Sequence, residues 1–379
     1  MSKANKKAYL ISCSDHYGHR LWAMDKVLKQ KGYETVYITS DFNHDTKEVF
    51  TCNVKNCVQV HAKPYKKNLS LDRILSHMFF SRDVFSYIEK GEEPDLIYAL
   101  VPPNFIAHYG AKYKKNHPKV KIIFDIFDLW PETFPSGKIK KLLAPVFGIW
   151  SSVRDKALPK ADFVITECEM FREKLKLSEN SKTVYLAQEP LGEKARVPDL
   201  PEDKINLSYL GAINNIISIP HIEEVIKKIT PKKPVCLHII GAGERQNELI
   251  CAARNAGAEV IYHGPIFDND KKQEIISRCH FGLNIMKESV CIGLTMKSVD
   301  YFSHGLPIIN NIPADTHRIV TKNEMGICLD DKDFCEKVLA GNESCLKMRE
   351  NVKKVFSETF EESVIKEKYF HIIKDLMQN

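Results

Sequence analysis

The chain has 379 residues, which is two to three domains of typical size and more than one small binding module needs. Hydrophobic residues make up 44% and charged residues 27%, the proportions of an ordinary globular protein, which exclude a disordered, collagenous or coiled-coil chain. The net charge of +6 is uneven: residues 1–188 carry 30 Lys and Arg against 21 Asp and Glu, the remainder 25 against 28, so the first half suits an anionic partner such as nucleic acid or a membrane surface.

No apolar run reaches the roughly 18 to 20 residues of a membrane-spanning helix. Lys3, Lys6 and Lys7 before an apolar stretch imitate a signal peptide, but Ser14, Asp15 and His16 end that stretch too early, and it reads as a first strand. Eleven scattered cysteines, an odd number, argue against a disulfide framework and place the chain in a reducing cytoplasm. Cys52, Cys57 and His61 lack the second ligand pair of a zinc site, so loop and core thiols are the preferred reading.

In chain order, β-rich runs at 7–13, 34–39, 56–61, 95–100, 121–127, 162–166 and 183–186 alternate with helical patterns, among them 20–31, ended by Gly32, and 104–115, entered through Pro102 and Pro103. Several runs are continuously apolar, as strands buried on both faces are. Residues 189–203, with Pro190, Pro198 and Pro201, lose all hydrophobic period and read as a linker between a domain at 1–188 and a second at 204–355. A second series follows at 205–210, 235–240, 259–263, 281–286, 306–310 and 325–329. Residues 344–377 then read as helices with Phe356, Phe360, Val364, Tyr369, Ile372, Ile373 and Leu376 on one apolar face. The fold class is therefore α/β, with two Rossmann-like, doubly wound parallel sheets whose strand ends face a central cleft.

Residues 289–311, SVCIGLTMKSVDYFSHGLPIINN, form a glycine loop, a short helix and a buried strand. Gly293 and Leu294 lead into a helix starting near Thr295, whose unsatisfied N–H groups make an anion site. Lys297 adds a full positive charge where a diphosphate would lie, and Asp300, one turn on, offers a carboxylate to vicinal hydroxyls. The competing reading is a capped surface helix with both charges solvated. Gly241 and Gly243 follow a strand, but Gln246 stands where a dinucleotide fingerprint needs its third glycine, so phosphate or sugar contact by the turn from Gly243 to Arg245 is preferred over a dinucleotide site.

In the first half, DIFDLWPETF at 125–134 places Asp125, Asp128, Trp130 and Glu132 in or beside a loop after an apolar strand. Asp128 would hydrogen-bond an acceptor hydroxyl, and Trp130 would stack on a sugar or anchor the loop; capping by Asp128 and burial of Trp130 are the alternatives. The loop after the first strand, with His16 and Gly18, suits substrate contact. Residues 138–156 read as an amphipathic helix with a basic end, fit for an anionic membrane interface or for the core.

The series Lys297, Asp300, Tyr301, Gly305, Pro307 resembles the donor-site helix of family 4 (group 1) glycosyltransferases of the GT-B fold. The strand ending at Leu210 with Gly211, the IIGAGER segment at 239–245, the turn at 263–266 with Pro265 and Ile266, and FSETFEES at 356–363 fall in that family's order. The DLWPE segment is similar to that of bacterial capsular and exopolysaccharide glycosyltransferases. The resemblance implies a transferase that moves a sugar from a nucleotide-diphosphate donor to a glycan acceptor, carried on a polyprenyl diphosphate at the inner membrane face, with retention, no cofactor and no metal. It further implies that a C-terminal helix, 356–379, returns to the first domain. Catalysis falls to Asp128 and Lys297. Donor contact falls to Gly211, Gly243, Arg245, Pro265, Ile266, Glu288, Gly293, Leu294, Thr295, Lys297 and Asp300, and acceptor contact to His16, Gly18, Asp125, Asp128, Trp130 and Glu132. Two departures stand out. The family's paired glutamates are reduced to Asp300 with Glu288 too far upstream, and the 211–219 loop lacks the family's basic pair, which Lys297, Arg245 or Lys287 would have to replace. A nucleotide-sugar epimerase and a non-catalytic partner subunit are the rival readings; no recognition-helix or single-strand motif supports nucleic acid.

Overall fold

The computed structural model describes residues 6–13, 18–44, 46–68, 70–134, 144–191 and 197–378. The chain divides into two units, Met1–Tyr185 with Ile365–Asn379, and Leu186–Val364.

In the first unit β1 (Lys6–Ser12), β2 (Tyr33–Ser40), β3 (Cys57–Val60), β4 (Leu96–Val101), β5 (Lys121–Ile126), β6 (Phe163–Thr166) and β7 (Ser181–Thr183) form one sheet. Its order is β3-β2-β1-β4-β5-β6-β7, and all neighbours are parallel. Helices α1 (Gly18–Gln30), α2 (Leu71–Lys90), α3 (Asn104–Asn116), α4 (Ala144–Asp155) and α5 (Glu169–Lys174) follow β1, β3, β4, β5 and β6. Parallel strands need helical crossovers, and crossovers on both faces bury the strands: every residue of β4 is buried. The Ser70 hydroxyl caps α2 by accepting from the Arg73 N–H at 3.2 Å.

The second unit repeats the plan with β8 (Ile205–Leu210), β9 (Val235–Ile240), β10 (Glu259–Gly264), β11 (Phe281–Asn284), β12 (Ile308–Asn310) and β13 (Gly326–Cys328), ordered β10-β9-β8-β11-β12-β13 and wholly parallel. Its helices are α6 (Ile219–Ile229), α7 (Gln246–Asn255), α8 (Asn269–Ile276), α9 (Met296–Ser303), α10 (Asp315–Lys322), α11 (Phe334–Val338) and α12 (Asn342–Thr359). The last helix, α13 (Glu362–Gln378), passes into the first unit at Ile365. There Tyr369 meets Tyr98 edge-on, with ring centroids 6.4 Å apart, and Lys31, just past α1, lies 3.6 Å over the Phe370 ring.

The observed strands follow the expected ones closely, and the differences have local causes. The strand expected at 183–186 is Ser181–Thr183, because its partner β6 ends at Thr166. The strand expected from 306 begins at Ile308, since Pro307 has no N–H for the ladder. The terminal helix starts at Glu362 rather than 356: the Phe360 and Glu361 N–H groups both return to Phe356 O, closing α12.

In each sheet the strand order reverses beside its first strand, β1 in one and β8 in the other. Loops leaving the C-terminal ends of strands at such a point diverge and leave room for a ligand. In the second unit the loops at this point follow β8 and β11.

Candidate donor site in the second unit

Gly211 leaves β8 with φ +100°, a conformation that favours glycine, and its N–H donates to Ile240 O at 2.8 Å. Gly241 donates in turn to Gly264 O at 2.9 Å, which ties the ends of β8, β9 and β10 together. A β-carbon at Gly241 would stand 2.0 Å from Gly211 O, and one at Gly243 would stand 2.3 Å from Ile213 O. The two glycines of IIGAGER therefore exist to let these loops pass at contact distance. This revises the expected role of Gly243, whose missing side chain makes room for the protein's own backbone. The Arg245 guanidinium binds Glu248 (2.8 and 2.5 Å) and Ile217 O (3.2 Å), an ion pair at the protein surface. Pro265 and Ile266 directly follow Gly264, with Pro265 exposed and Ile266 half-buried.

Across the reversal point the loop after β11 is fastened at several places. Asn311 exchanges hydrogen bonds with the Met286 backbone at 2.9 and 2.8 Å, and Thr316 donates both its N–H and its hydroxyl to Gly293 O at 2.8 and 2.7 Å. Leu294 is buried. The Thr295 hydroxyl accepts from the Ser298 N–H at 2.9 Å and lies 3.0 Å from Asn284 Oδ1, which caps α9 and fixes it to the end of β11. The N–H groups of Met296 and Lys297 precede the first intrahelical bond, from Val299 N–H to Thr295 O. Glu288 is exposed and lines a pocket of about 250 Å³ with Met286, Lys287, Ile292, Asn311 and Pro313.

Tyr301 sets the depth of α9. A β-carbon at Gly282 would lie 2.7 Å from its ring, and its hydroxyl donates to Ser208 O at 2.9 Å, so the ring lies flat on β11 and reaches β8. Lys297 is one turn earlier on the same helical face. Its side chain runs under the Gly211 turn: Cε lies 3.7 Å from where a β-carbon at Gly211 would be, and Nζ sits 3.9 Å from the centre of the Tyr209 ring. Nζ is buried with no hydrogen-bond partner. Burial pulls its pKa down from 10.5 to about 7, against the attraction of the Tyr209 ring face for the cation. Asp300 binds Lys272 through both oxygens at 3.2 Å, with His304 Nδ1 3.5 Å away. The carboxylate is thus held with its charge balanced and remains partly exposed.

In the first unit the structure gives Asp125, Asp128, Trp130 and Glu132 partners within the protein. Asp125 is completely buried: it takes two bonds from Arg20 (2.9 and 2.7 Å) and one from the Tyr98 hydroxyl, and it lies 3.4 Å from the Tyr369 hydroxyl. An internal counter-ion cannot touch an acceptor. Asp128, expected to be catalytic, has both oxygens committed to its own loop, accepting from the Leu129 N–H (2.7 Å), the Thr133 hydroxyl (2.7 Å) and Trp130 Nε1 (2.5 Å). Trp130 stacks on His77 at 5.6 Å with Arg73 4.0 Å from a ring centre, and Glu132 pairs with the buried Arg154 at 2.8 Å. These side chains brace the 128–134 loop. Gly18 opens α1 and is buried, while His16 lies outside the described residues, as does the segment 135–143 with the basic start of the helix expected at 138–156.

Sequence reasoning missed Tyr209, whose strand position reads as core, and Glu167. The latter follows β6, is nearly buried, and has one carboxylate oxygen without a partner. Burial pushes its pKa up to about 8. All eleven cysteines are free, and His61 pairs with Asp41 at 2.8 Å. Among the described residues His317, Cys328 and Asp330, at the β13 edge of the second sheet, are the set of metal-capable side chains with ligand atoms within 4.8 Å of one another. Among the described residues no helix is long and apolar enough to cross a membrane.

Residues 204–343 match the family model described as glycosyl transferases group 1. No curated protein matches the chain. Among solved structures, the chain is similar to sucrose-phosphate synthase from Thermosynechococcus elongatus (TM-score 0.71, 13% identity, covering 98% of this chain and 99% of that one). It is also similar to HepE from Anabaena in complex with UDP and glucose (TM-score 0.64, 11% identity, 98% and 100%) and to WaaG, a glycosyltransferase involved in lipopolysaccharide biosynthesis (TM-score 0.64, 9% identity, 96% and 99%). The second unit thus matches the group 1 glycosyl transferase model over residues 204–343, and the chain has the GT-B fold of two Rossmann-like parallel sheets.

Proposed function

We propose that the second unit binds a nucleoside-diphosphate sugar at the reversal point between β8 and β11, with the diphosphate against Lys297, the Gly211 turn and the first N–H groups of α9. The observation that carries this reading is the buried, unpartnered Lys297 ammonium beside a glycine turn. An isolated buried charge is costly, and an anionic ligand repays that cost. Asp300, held by Lys272, faces the ribose or sugar hydroxyls, and Glu288 lines the neighbouring pocket. As the sugar's bond to the diphosphate breaks, negative charge grows on the leaving oxygen, and Lys297 with the helix N-terminus stabilises it. The leaving phosphate oxygen takes the acceptor's proton, so no protein nucleophile and no metal is required.

The acceptor is a glycan on a polyprenyl diphosphate in surface polysaccharide synthesis. The DLWPE segment and the likeness to WaaG, described as acting in lipopolysaccharide biosynthesis, support this reading. The loop held by Asp128 and Trp130 then serves as a rigid wall beside the acceptor, its side chains positioning rather than reacting.

Thermal-shift titrations with UDP, GDP, CMP and dTDP, with Lys297→Ala alongside, test the donor site. A nucleotide at 100 times its Kd stabilises the folded state by about 2.7 kcal/mol. A shift with one nucleoside diphosphate that disappears in the variant is expected; the same shift in both proteins removes Lys297 from the site.

A further inference from the structure

Away from the proposed donor site, three side chains with metal-ligating atoms converge at the C-terminal end of β13. The crossover between the parallel strands β12 and β13 brings them there. Helix α10 runs back along the sheet, so its first turn lies beside the strand end. His317 in that turn meets Cys328, the last residue of β13, and Asp330, two residues on. One ring nitrogen, the thiol sulfur and one carboxylate oxygen all lie within 4.8 Å of one another. The backbone that carries them is fixed by the fold. Thr316, next to His317, donates both its N–H and its hydroxyl to Gly293 O. Leu329 N–H bonds Asn310 O at 2.8 Å, and Asp331 N–H closes the turn on Cys328 O at 3.0 Å.

The neighbouring carboxylate is already engaged, and the three ligand groups are not. Asp331 accepts from the Cys328 N–H at 3.2 Å and pairs with Lys337 at 2.9 Å. Among the described residues no hydrogen bond or ion pair engages the His317 ring or the Asp330 carboxylate. Cys328 is buried, and the Thr321 hydroxyl lies 3.8 Å from its sulfur, one turn after His317 on the same face of α10. A hydroxyl placed there can donate to a thiolate and orient it, as outer-shell partners of metal ligands do.

We propose that His317, Cys328 and Asp330 bind a zinc ion, with water in the fourth position. The donor set selects the metal: magnesium and calcium take oxygen ligands, whereas sulfur, imidazole and carboxylate together suit zinc. Tetrahedral zinc, with sulfur at about 2.3 Å and nitrogen or oxygen at about 2.0 to 2.2 Å, spaces its ligand atoms roughly 3.3 to 3.6 Å apart, so the set contracts by about 1 Å on binding. Exposed Asp330 and half-buried His317 supply that movement toward the buried sulfur. The Cys328 thiol gives its proton to solvent as the sulfur–zinc bond forms. The ion then clamps α10 to β13, and α10 in turn holds the loop before α9 through Thr316. The site lies two strands beyond β11 in the sheet, apart from the proposed diphosphate position.

The test is metal binding to the full chain, stripped with chelator and kept reduced. One equivalent of Co²⁺ should give a thiolate-to-cobalt charge-transfer band and the strong visible absorption of a four-coordinate site. One equivalent of Zn²⁺ should abolish both, and excess Mg²⁺ should not. His317→Ala and Asp330→Asn, at half-buried and exposed positions, should lose zinc affinity at least about a hundredfold, the upper end of what losing an outer-shell partner costs. Cys328→Ser should lose the charge-transfer band. Zinc should raise the Tm of the parent and not that of the variants. The other cysteines remain in Cys328→Ser, so a charge-transfer band that persists there overturns the proposal. Unchanged zinc affinity in His317→Ala and Asp330→Asn overturns it too, and these two variants decide the matter if Cys328→Ser fails to fold. So does a cobalt complex displaced by Mg²⁺, because the site is then built of oxygen.

Discussion

Donor affinity should fall as pH rises, because Lys297 must regain a proton to meet a diphosphate. Its Nζ is buried and unpartnered, and burial places its pKa at about 7 in the free protein. A bound diphosphate favours the ammonium form and raises that pKa, so binding takes up a proton wherever the free protein has lost it. The charged fraction in the free protein is about a half at pH 7, about a tenth at pH 8 and about a hundredth at pH 9. With a bound-state pKa above that range, Kd rises roughly fivefold from pH 7 to pH 8 and roughly fiftyfold by pH 9. Calorimetric titration of a nucleotide sugar in two buffers of different ionisation enthalpy reads both the affinity and the proton uptake, which should approach one per site on the alkaline side. A flat Kd with no proton uptake refutes the assignment. In the free protein the linkage has the opposite consequence. Between pH 7 and 10.5 the unfolded chain holds the proton and the folded chain does not, so this group's contribution to stability rises with pH across that window and is least favourable below it. Lys297→Met should therefore raise the Tm of the free protein by a few degrees near pH 6 while abolishing the nucleotide-induced shift.

Three further changes probe the frame that holds the sites. Asp125→Asn leaves Arg20, 2% exposed, without its counter-charge, and should cost about 3 to 5 kcal/mol in urea unfolding. A loss under 1 kcal/mol by that measure means the pair is not closed to solvent. Glu167 has a folded-state pKa raised from 4.5 to about 8, so the folded chain holds a proton that the unfolded chain releases, and its contribution to stability declines as pH climbs through that window. Glu167→Gln should flatten that decline, raising Tm at pH 8 and leaving it nearly unchanged at pH 4.5; parallel Tm-against-pH curves contradict this. Gly282→Ala puts a β-carbon 2.7 Å from the Tyr301 ring, which must lift α9 away from β11. It should cost about 1 to 3 kcal/mol and weaken nucleotide binding as well, and calorimetry showing intact affinity means that Lys297 does not depend on Tyr301 for its depth.

The fold was legible because each unit obeys rules that act over short stretches. Strands such as Ile205–Leu210 and Val235–Ile240 are β-rich runs buried at every position, each followed by a glycine, and their observed limits coincide with the expected ones. The donor-side helix was legible for a related reason: Thr295, Lys297, Asp300 and Gly305 carry cap, charge and stop at fixed helical offsets. The acceptor side was harder to read. Asp125 lies in an apolar strand beside a loop, and nothing local reveals that Arg20, 105 residues earlier, reaches it from α1. Asp128 is an instance of local competition, in which a short acidic side chain satisfies its own loop before any ligand can reach it. Glu167 gave no signal at all, since an acid after a strand is usually solvated and its burial depends on the neighbouring strands.

The displaced positive charge at the proposed donor site accompanies the same close packing. The 211–219 loop carries no Lys or Arg. Its first residues pass within contact distance of the 241–243 turn: Ile213 N–H bonds Ala242 O at 2.9 Å, and Arg245 N–H bonds Ile213 O at 3.1 Å. Backbones laced this tightly, with glycines where β-carbons would collide, fix the path of that loop. The buried positive charge comes instead from the next element over the reversal point. Lys297 arrives along the face of α9 that Tyr301 presses onto β11, and its Cε lies beside the Gly211 turn while the ammonium lies over Tyr209. On this argument a lysine moved to the loop, as in Asn214→Lys combined with Lys297→Met, should not restore nucleotide binding. A thermal shift regained in that double variant shows that charge alone, rather than its delivery from α9, is what the site requires.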